Sequence, residues 1–293
     1  MRKMYHKLFL YDNTKIIAKK ILINILPQKE YDYIISISDP KTSHIALKTL
    51  IKQGLKSKKI IEYWGDPLYG DITQKSILPK FLIKKEEIKL IKIADKIIYT
   101  SPFTLKLQQK IYKQFENKMY FYPTSSKEKE YYDSKSNNTY TVGYYGAYES
   151  NIRNILPLYN AFKELKGLAK LNLIGNSDLN LDITENVVVL ERGIVTEYEK
   201  NTDLFVCLLN KTGTQIPGKL YYMAVTNKPI LVIIDGNEKK EIIKFLNEFN
   251  RFIICENQEQ SIIEAIKNSI NSNKTYKPCE LLKPEVIAQK ILL

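Results

Sequence analysis

The chain has 293 residues, enough for two domains with separate cores, and its 44% hydrophobic and 26% charged residues are those of a globular protein. Two histidines (His6 and His44) exclude a multi-histidine metal centre, and three widely spaced cysteines (Cys207, Cys255 and Cys279) read as the reduced thiols of a cytosolic protein. The net charge of +13 is segregated: residues 1–122 hold 24 Lys/Arg against 11 Asp/Glu, and residues 123–293 hold 21 of each. A lysine-rich composition accounts for many lysines but not for their segregation, so a polyanionic surface is the expected partner of the first half.

In chain order, "MRKMYHKLFLYDNTKIIAKK" lacks the uninterrupted apolar run of a secretory signal, and no segment approaches the roughly 20 apolar residues that span a bilayer. The expectation is a cytoplasmic protein able to touch a membrane surface. The pattern predicts a strand over 32–38, a helix over 44–54, a strand over 59–64 and the loop "GDPLYGD" over 65–71. A helix over 78–95, a strand over 96–101, a proline-opened helix over 102–112 and a strand over 118–122 complete the first half. The polar, aperiodic stretch "PTSSKEKEYYDSKSNNT" over 123–139 separates the halves, with the linker itself over 126–139. The domains are therefore 1–125 and 140–293.

Alternation then resumes with strands over 140–146, 169–175, 186–191, 203–209, 229–234 and 251–255. Helices are expected over 154–167, 195–201 and 217–226, with two more around the last strand, and a tail follows with Pro278 and Pro284. No internal repeat is present. Short apolar strands between amphipathic helices imply parallel sheets covered on both faces. The fold class is thus α/β, two doubly wound domains in series, with ligands at the carboxyl ends of strands.

Two segments carry candidate chemistry in the second half. In "TGTQIPGKLYYMAVTNKPILVI", Pro217 suits the first helical position and Asn227 a left-handed C-terminal position before Pro229. Free N–H groups at that helix start form an anion site, which Gly218 lets a ligand approach closely. Lys219 in the first turn opposes the macrodipole unless an anion neutralises it, so a phosphate or diphosphate is expected there. The competing reading is an ordinary surface turn with a solvated lysine. "YYGAYESNIRN" places Gly146 at a strand end and Arg153 at the next helix, again a cation beside free N–H groups, or else a structural surface arginine. In the first half Asp66 and His44 stand near strand ends. Asp66 can hold or deprotonate a hydroxyl, or simply initiate an Asx turn before Pro67. No Walker lysine loop, G-x-G-x-x-G, G-x-S-x-G or D-x-D motif occurs.

These segments resemble glycosyltransferases of the GT-B fold, of the kind gathered in glycosyltransferase family 4. "IISISDPKTSHIALKTL…KKIIEYWGDP" and "EEIKLIKIADKIIYTSP" are similar to motifs of that family's first domain. "VGYYGAYESNIRNI" and "TGTQIPGKLYYMAVTNKPILVI" are similar to its donor-binding elements, and coverage runs from about residue 30 to 270. The resemblance implies two Rossmann-like domains, a nucleotide-diphosphate sugar with its phosphates on Arg153 and Lys219, and no cofactor or required metal. Gly146, Gln215, Gly218 and Tyr222 complete the implied donor site. Asp66 falls in the acceptor-facing loop as the implied catalytic residue, and His44 lies on the acceptor side. The sequence departs at the family's E-x7-E glutamates, where Thr214 and Tyr222 stand, and it begins after the family's first strands, so the first domain is expected to be incomplete. The implied activity is transfer of a sugar to a lipid-linked or saccharide acceptor in cell-surface polysaccharide or lipopolysaccharide synthesis, with anomeric configuration retained, and the implied location is cytoplasmic, peripheral on the inner face of the plasma membrane. A catalytically inactive relative, binding without turnover, is the alternative. Nucleic-acid binding has the charge but no RNP-type or helix-turn-helix pattern. If an anionic leaflet is a partner, helix 78–95 with Lys80, Lys84, Lys85, Lys89 and Lys92 is the expected contact.

Overall fold

A computed structural model describes residues 9–27, 29–74, 76–131 and 139–293. Of the expected linker, residues 132–138 lie outside the described residues, as does His6. The chain divides into two compact units. The first takes the described residues up to Pro123 with Gly213–Gln215 and Ala288–Leu293, and the second takes those of Thr124–Thr212 and Ile216–Ile287.

The first unit is built on a four-stranded parallel sheet whose order follows the sequence: β1 (Tyr31–Ile37), β2 (Ser57–Trp64), β3 (Lys96–Tyr99) and β4 (Met119–Phe121). Parallel neighbours need crossovers, supplied here by helices Thr42–Lys52, Lys80–Ile91 and Pro102–Ile111. The last starts as its sequence predicts, with Pro102 in the first turn and Ser101 Oγ accepting from Thr104 N at 3.4 Å. One sheet face packs Ile97 and Tyr99 with Trp64, Leu90 and Ile91. On the other, Ile291 packs against Ile61, Tyr63 and Ile98.

Two elements escape the periodicity argument. Helix Lys15–Lys20 is too short to show a period, and helix Pro284–Leu292 begins at a proline that reads equally well as a breaker. The carbonyls of Lys290 and Ile291 each accept from Lys96 Nζ at 3.0 Å. Residues 288–293 therefore group with the first unit, where the sequence places them in the second domain.

The second unit holds a six-stranded, all-parallel sheet of order β10-β9-β8-β5-β6-β7. Its strands are β5 (Tyr140–Tyr145), β6 (Ala169–Ile174), β7 (Val187–Leu190), β8 (Leu204–Leu208), β9 (Ile230–Ile234) and β10 (Ile253–Glu256). The chain winds outward from β5 to β7, then returns to the other side of β5 for β8. Every residue of β8 and β9 is buried, as a strand covered on both faces requires. Leu158, Phe162, Leu171, Val206, Leu231 and Ile266 anchor one core cluster, each fully buried and worth about 1.5–3 kcal/mol on an area basis.

The expected helix 217–226 is shorter, Lys219–Ala224, with Gly218 as its N-cap. Asn227 is not left-handed: its Oδ1 accepts from Tyr131 N at 2.9 Å and its Nδ2 donates to Tyr131 O at 3.1 Å, so it joins chain segments rather than ending a helix. Among the described residues no helix is long and apolar enough to cross a membrane.

Candidate functional site

The strand order of the second sheet reverses between β5 and β8, and such a reversal opens a crevice beyond the carboxyl ends of the two strands. A pocket of about 170 Å³ lies there. Tyr144, Tyr145, Gly146 and Ala147 line it from the end of β5, Val206, Cys207 and Leu208 from β8, and Pro217, Gly218, Lys219 and Met223 from the helix that follows, with Arg153 completing the wall. Four of the residues singled out from the sequence, Gly146, Arg153, Gly218 and Lys219, thus share one pocket although they span more than seventy positions.

The loop after β5 is fixed by its backbone. Gly146 N donates to Ile174 O at 2.9 Å, and Tyr148 N to Asn176 O at 3.0 Å. A Cβ on Gly175 would run into the Gly146 carbonyl, so glycine is required where these two strand ends meet. Ser150 N bonds Asp178 Oδ1 at 2.7 Å, and Lys211 Nζ reaches Ser150 O at 3.0 Å. Arg153 is held by its Nη1, which donates to Ala147 O at 2.9 Å, while its buried Nε has no partner. A Cβ on Gly146 would meet Lys219 Cδ and Nζ at 3.7 Å, which measures how closely the lysine lies over this glycine. Gly218 faces open space and has ordinary right-handed dihedrals, so its lack of a side chain serves access rather than backbone geometry.

Electrostatically the pocket is cationic. Lys219 is exposed as a residue, yet its pKa is lowered, first by partial desolvation and then by Arg192 and Arg153, against the opposing pull of Glu199. Arg192, just past β7, was missed in the sequence; its position beyond a strand's carboxyl end was the available signal. Burial pushes the Cys207 thiol up to about 12 despite both cations, so it stays neutral. An anion in the pocket would relieve the cation repulsion and restore the lysine.

Three expected site residues lie elsewhere. Tyr222 is not in the pocket wall: its hydroxyl receives Lys129 Nζ at 2.7 Å and donates to the buried Glu199 Oε2 at 3.2 Å. Gln215 belongs to the first unit, where Nε2 donates to Asp66 Oδ1 at 3.0 Å and Asp71 Oδ1 at 2.9 Å and Oε1 accepts from Ile72 N at 3.2 Å. An amide here satisfies two carboxylates at once. His44, expected on the acceptor side, is fully buried. Its ring stacks on Trp64 at 4.1 Å and its Nδ1 bonds Ser36 Oγ at 2.7 Å, because the apolar stripe of helix Thr42–Lys52 turns it inward.

Asp66 sits in a carboxylate cluster with Asp71, both bound by the one amide. Desolvation and then Asp71 raise the Asp66 pKa, whereas Lys41 (3.1 Å from Asp71 Oδ2) and the Thr73 hydrogen bonds lower that of Asp71. The two acids are driven apart, an arrangement suited to holding a proton on one of them.

No family model matches the chain, and no curated protein matches it in sequence. Solved structures match it in fold. Sucrose-phosphate synthase from Thermosynechococcus elongatus superposes with a TM-score of 0.57 at 14% identity, covering 89% of this chain and 72% of the other. The lipopolysaccharide outer core galactosyltransferase WaaB in its apo form gives 0.56 at 12% identity, covering 94% and 78%. UDP-GlcNAc 2-epimerase from Methanocaldococcus jannaschii gives 0.54 at 10% identity, covering 95% and 79%. The fold is GT-B. At these identities the likeness concerns the fold alone. The GT-B architecture accounts for the two parallel sheets, of four and six strands, each with crossover helices.

Proposed function

We propose that this chain is a glycosyltransferase that binds a nucleotide-diphosphate sugar in the switch-point pocket and transfers the sugar to a lipid-linked or saccharide acceptor. The observation that carries the reading is the convergence of Arg153 and Lys219 over Gly146 at the carboxyl ends of β5 and β8. Two cations over open backbone suit a diphosphate better than a single charge, and the structurally similar proteins include a galactosyltransferase and enzymes named for UDP-sugars. Asp66, with its raised pKa, would hold or deprotonate the acceptor hydroxyl. Retention of configuration, independence of metal, a role in cell-surface polysaccharide or lipopolysaccharide synthesis, and a cytoplasmic location peripheral to the membrane belong to the same proposal.

Calorimetry of the whole chain with UDP and with GDP tests it. Lys219→Ala and Arg153→Ala should each weaken binding by about 1.5–3 kcal/mol, the range of a charge-assisted hydrogen bond. The double variant should lose less than the sum, because both residues act on one ligand. Unchanged affinity in both single variants would remove the shared diphosphate site.

A second reading, a nucleotide-sugar binder without turnover, is favoured by one observation. The side chains at the two positions matching the family's glutamate pair are engaged elsewhere: the Thr214 hydroxyl lies 3.2 Å from Thr104 Oγ1, and the Tyr222 hydroxyl is held by Lys129 and Glu199. Release of free or transferred sugar from a bound donor separates the two readings.

A further inference from the structure

The first unit holds a second concavity, larger than the pocket of the second unit, that the proposed reaction does not use. It measures about 420 Å³ and is lined by Lys19, Lys48, Thr49, Lys52, Gln53 and Glu86, over a floor of Ile45 and Leu90. Its walls are helices Lys15–Lys20, Thr42–Lys52 and Lys80–Ile91. Gln53 ties the first wall to the second, its Nε2 donating to Ile21 O at 2.7 Å and its Oε1 accepting from Ile23 N at 2.8 Å.

The charge of this concavity is unbalanced. Glu86 is its sole carboxylate and is taken by Lys89 at 2.7 Å, while no ion pair involves Lys19, Lys48 or Lys52 among the described residues. Lys48 has a lowered pKa, first from desolvation, with Lys52 and Lys89 adding repulsion that outweighs, together with burial, the pull of Glu86 and Glu62. The segment that carries Lys19 also exposes Ile16 (63%), Ile17 (71%), Leu22 (58%) and Ile25 (66%). A soluble phosphate would need the cations but gives those four side chains nothing to do. A lipid uses both, its phosphate on the lysines and its acyl region around the isoleucines.

We propose that this concavity binds the phosphate-bearing headgroup of an anionic lipid and docks the first unit on the membrane. The inference deepens the reading of a lipid-linked acceptor and shares its premise that the first unit faces an anionic surface. It relocates the contact from the lysines of helix Lys80–Ile91, the sequence-based expectation, to Lys19, Lys48 and Lys52.

The test is co-sedimentation of the whole chain with phosphatidylglycerol-containing vesicles, phosphatidylcholine vesicles, and phosphatidylglycerol vesicles with excess pyrophosphate. Binding to the anionic vesicles alone is expected, falling with salt. The triple variant Lys19→Gln, Lys48→Gln, Lys52→Gln should lower it at least tenfold, and Ile16→Ser with Ile17→Ser should lower it at high salt. Lys84→Gln with Lys85→Gln should leave it within twofold. UDP affinity, measured on each variant, reports folding and the donor site separately, so loss of the nucleotide reading and loss of this one are distinguishable. Unchanged vesicle binding by the triple variant, dependence on Lys84 and Lys85 instead, or pyrophosphate binding by the parent chain with no binding to either vesicle would overturn the proposal.

Discussion

Glu62 lies in the buried part of β2, where its Oε2 accepts from Trp64 Nε1 at 3.0 Å and its Oε1 has no partner. Burial pushes its pKa up to about 8. Glu87 is raised to about 7 by burial although Leu68 N, Tyr69 N and Tyr112 Oη all donate to it. Between the ordinary carboxyl value of 4.5 and these raised values, the folded chain keeps protons that the unfolded chain has released. Stability therefore falls as pH rises through that window. His44 has the opposite effect: burial lowers it to about 3, so stability is lost as pH falls below its ordinary 6.5. Above pH 6.5 the carboxyls act without this opposition. The melting temperature should drop from pH 6.5 to 8.5, at about 4 °C per kcal/mol for a unit of this size. Glu62→Gln should flatten that slope and melt higher than the parent at pH 8.5. A parallel slope in the variant would show that Glu62 is not the buried acid responsible.

At the scale of elements, β1 is an edge strand whose outer face is apolar: Tyr33 is 41% exposed, Ile35 42% and Ile37 59%. Their neighbours across the sheet, Ile61 and Tyr63 on β2, are covered by the cluster that includes Ile291, so cover stops one strand short. An open edge with an apolar face favours self-association. Ile35→Lys should lower concentration-dependent light scattering while changing the melting temperature little, since that side chain is already half in water. Scattering unchanged by the substitution would place the sticky surface elsewhere. Helix Lys80–Ile91 buries Ile83, Glu87, Leu90 and Ile91 in the unit, and the cationic concavity it helps to wall takes its lysines from two other helices. The pattern of one helix carries its own faces, not those of its neighbours.

For the whole molecule, the asymmetry is one of charge and of packing. The second unit has a six-stranded sheet with β8 and β9 wholly buried, and the first has, among the described residues, four strands, an uncovered edge and one buried carboxylate oxygen, Glu62 Oε1, without a partner. The first unit should be the less stable. Limited proteolysis of the intact chain, read by mass spectrometry, should leave a resistant fragment beginning near residue 140. Equal rates of cleavage in both units would contradict this. The same contrast would make the charge of the first unit available for a membrane, because a neutral second unit gains nothing from an anionic surface.

The alternation of apolar strands with amphipathic helices was enough to determine two parallel α/β units from the sequence, since burial on both faces forces continuous apolar runs such as "ILVII" of β9. It also marked Gly146, Arg153, Gly218 and Lys219, because strand ends and helix starts are where backbone N–H groups and cations can meet an anion. Strand order was beyond its reach. Only the tertiary structure decides that β8 returns beside β5, and that return is what gathers the four residues into one pocket. The same holds for the residues it misplaced. Gln215 and Tyr222 flank Lys219 in sequence, but their polar groups are claimed by Asp66 and Asp71 and by Lys129 and Glu199, three of these partners 93 to 149 positions away and Glu199 only 23. Hydrogen-bonding groups go to whichever partners burial brings near, and sequence spacing does not encode that proximity.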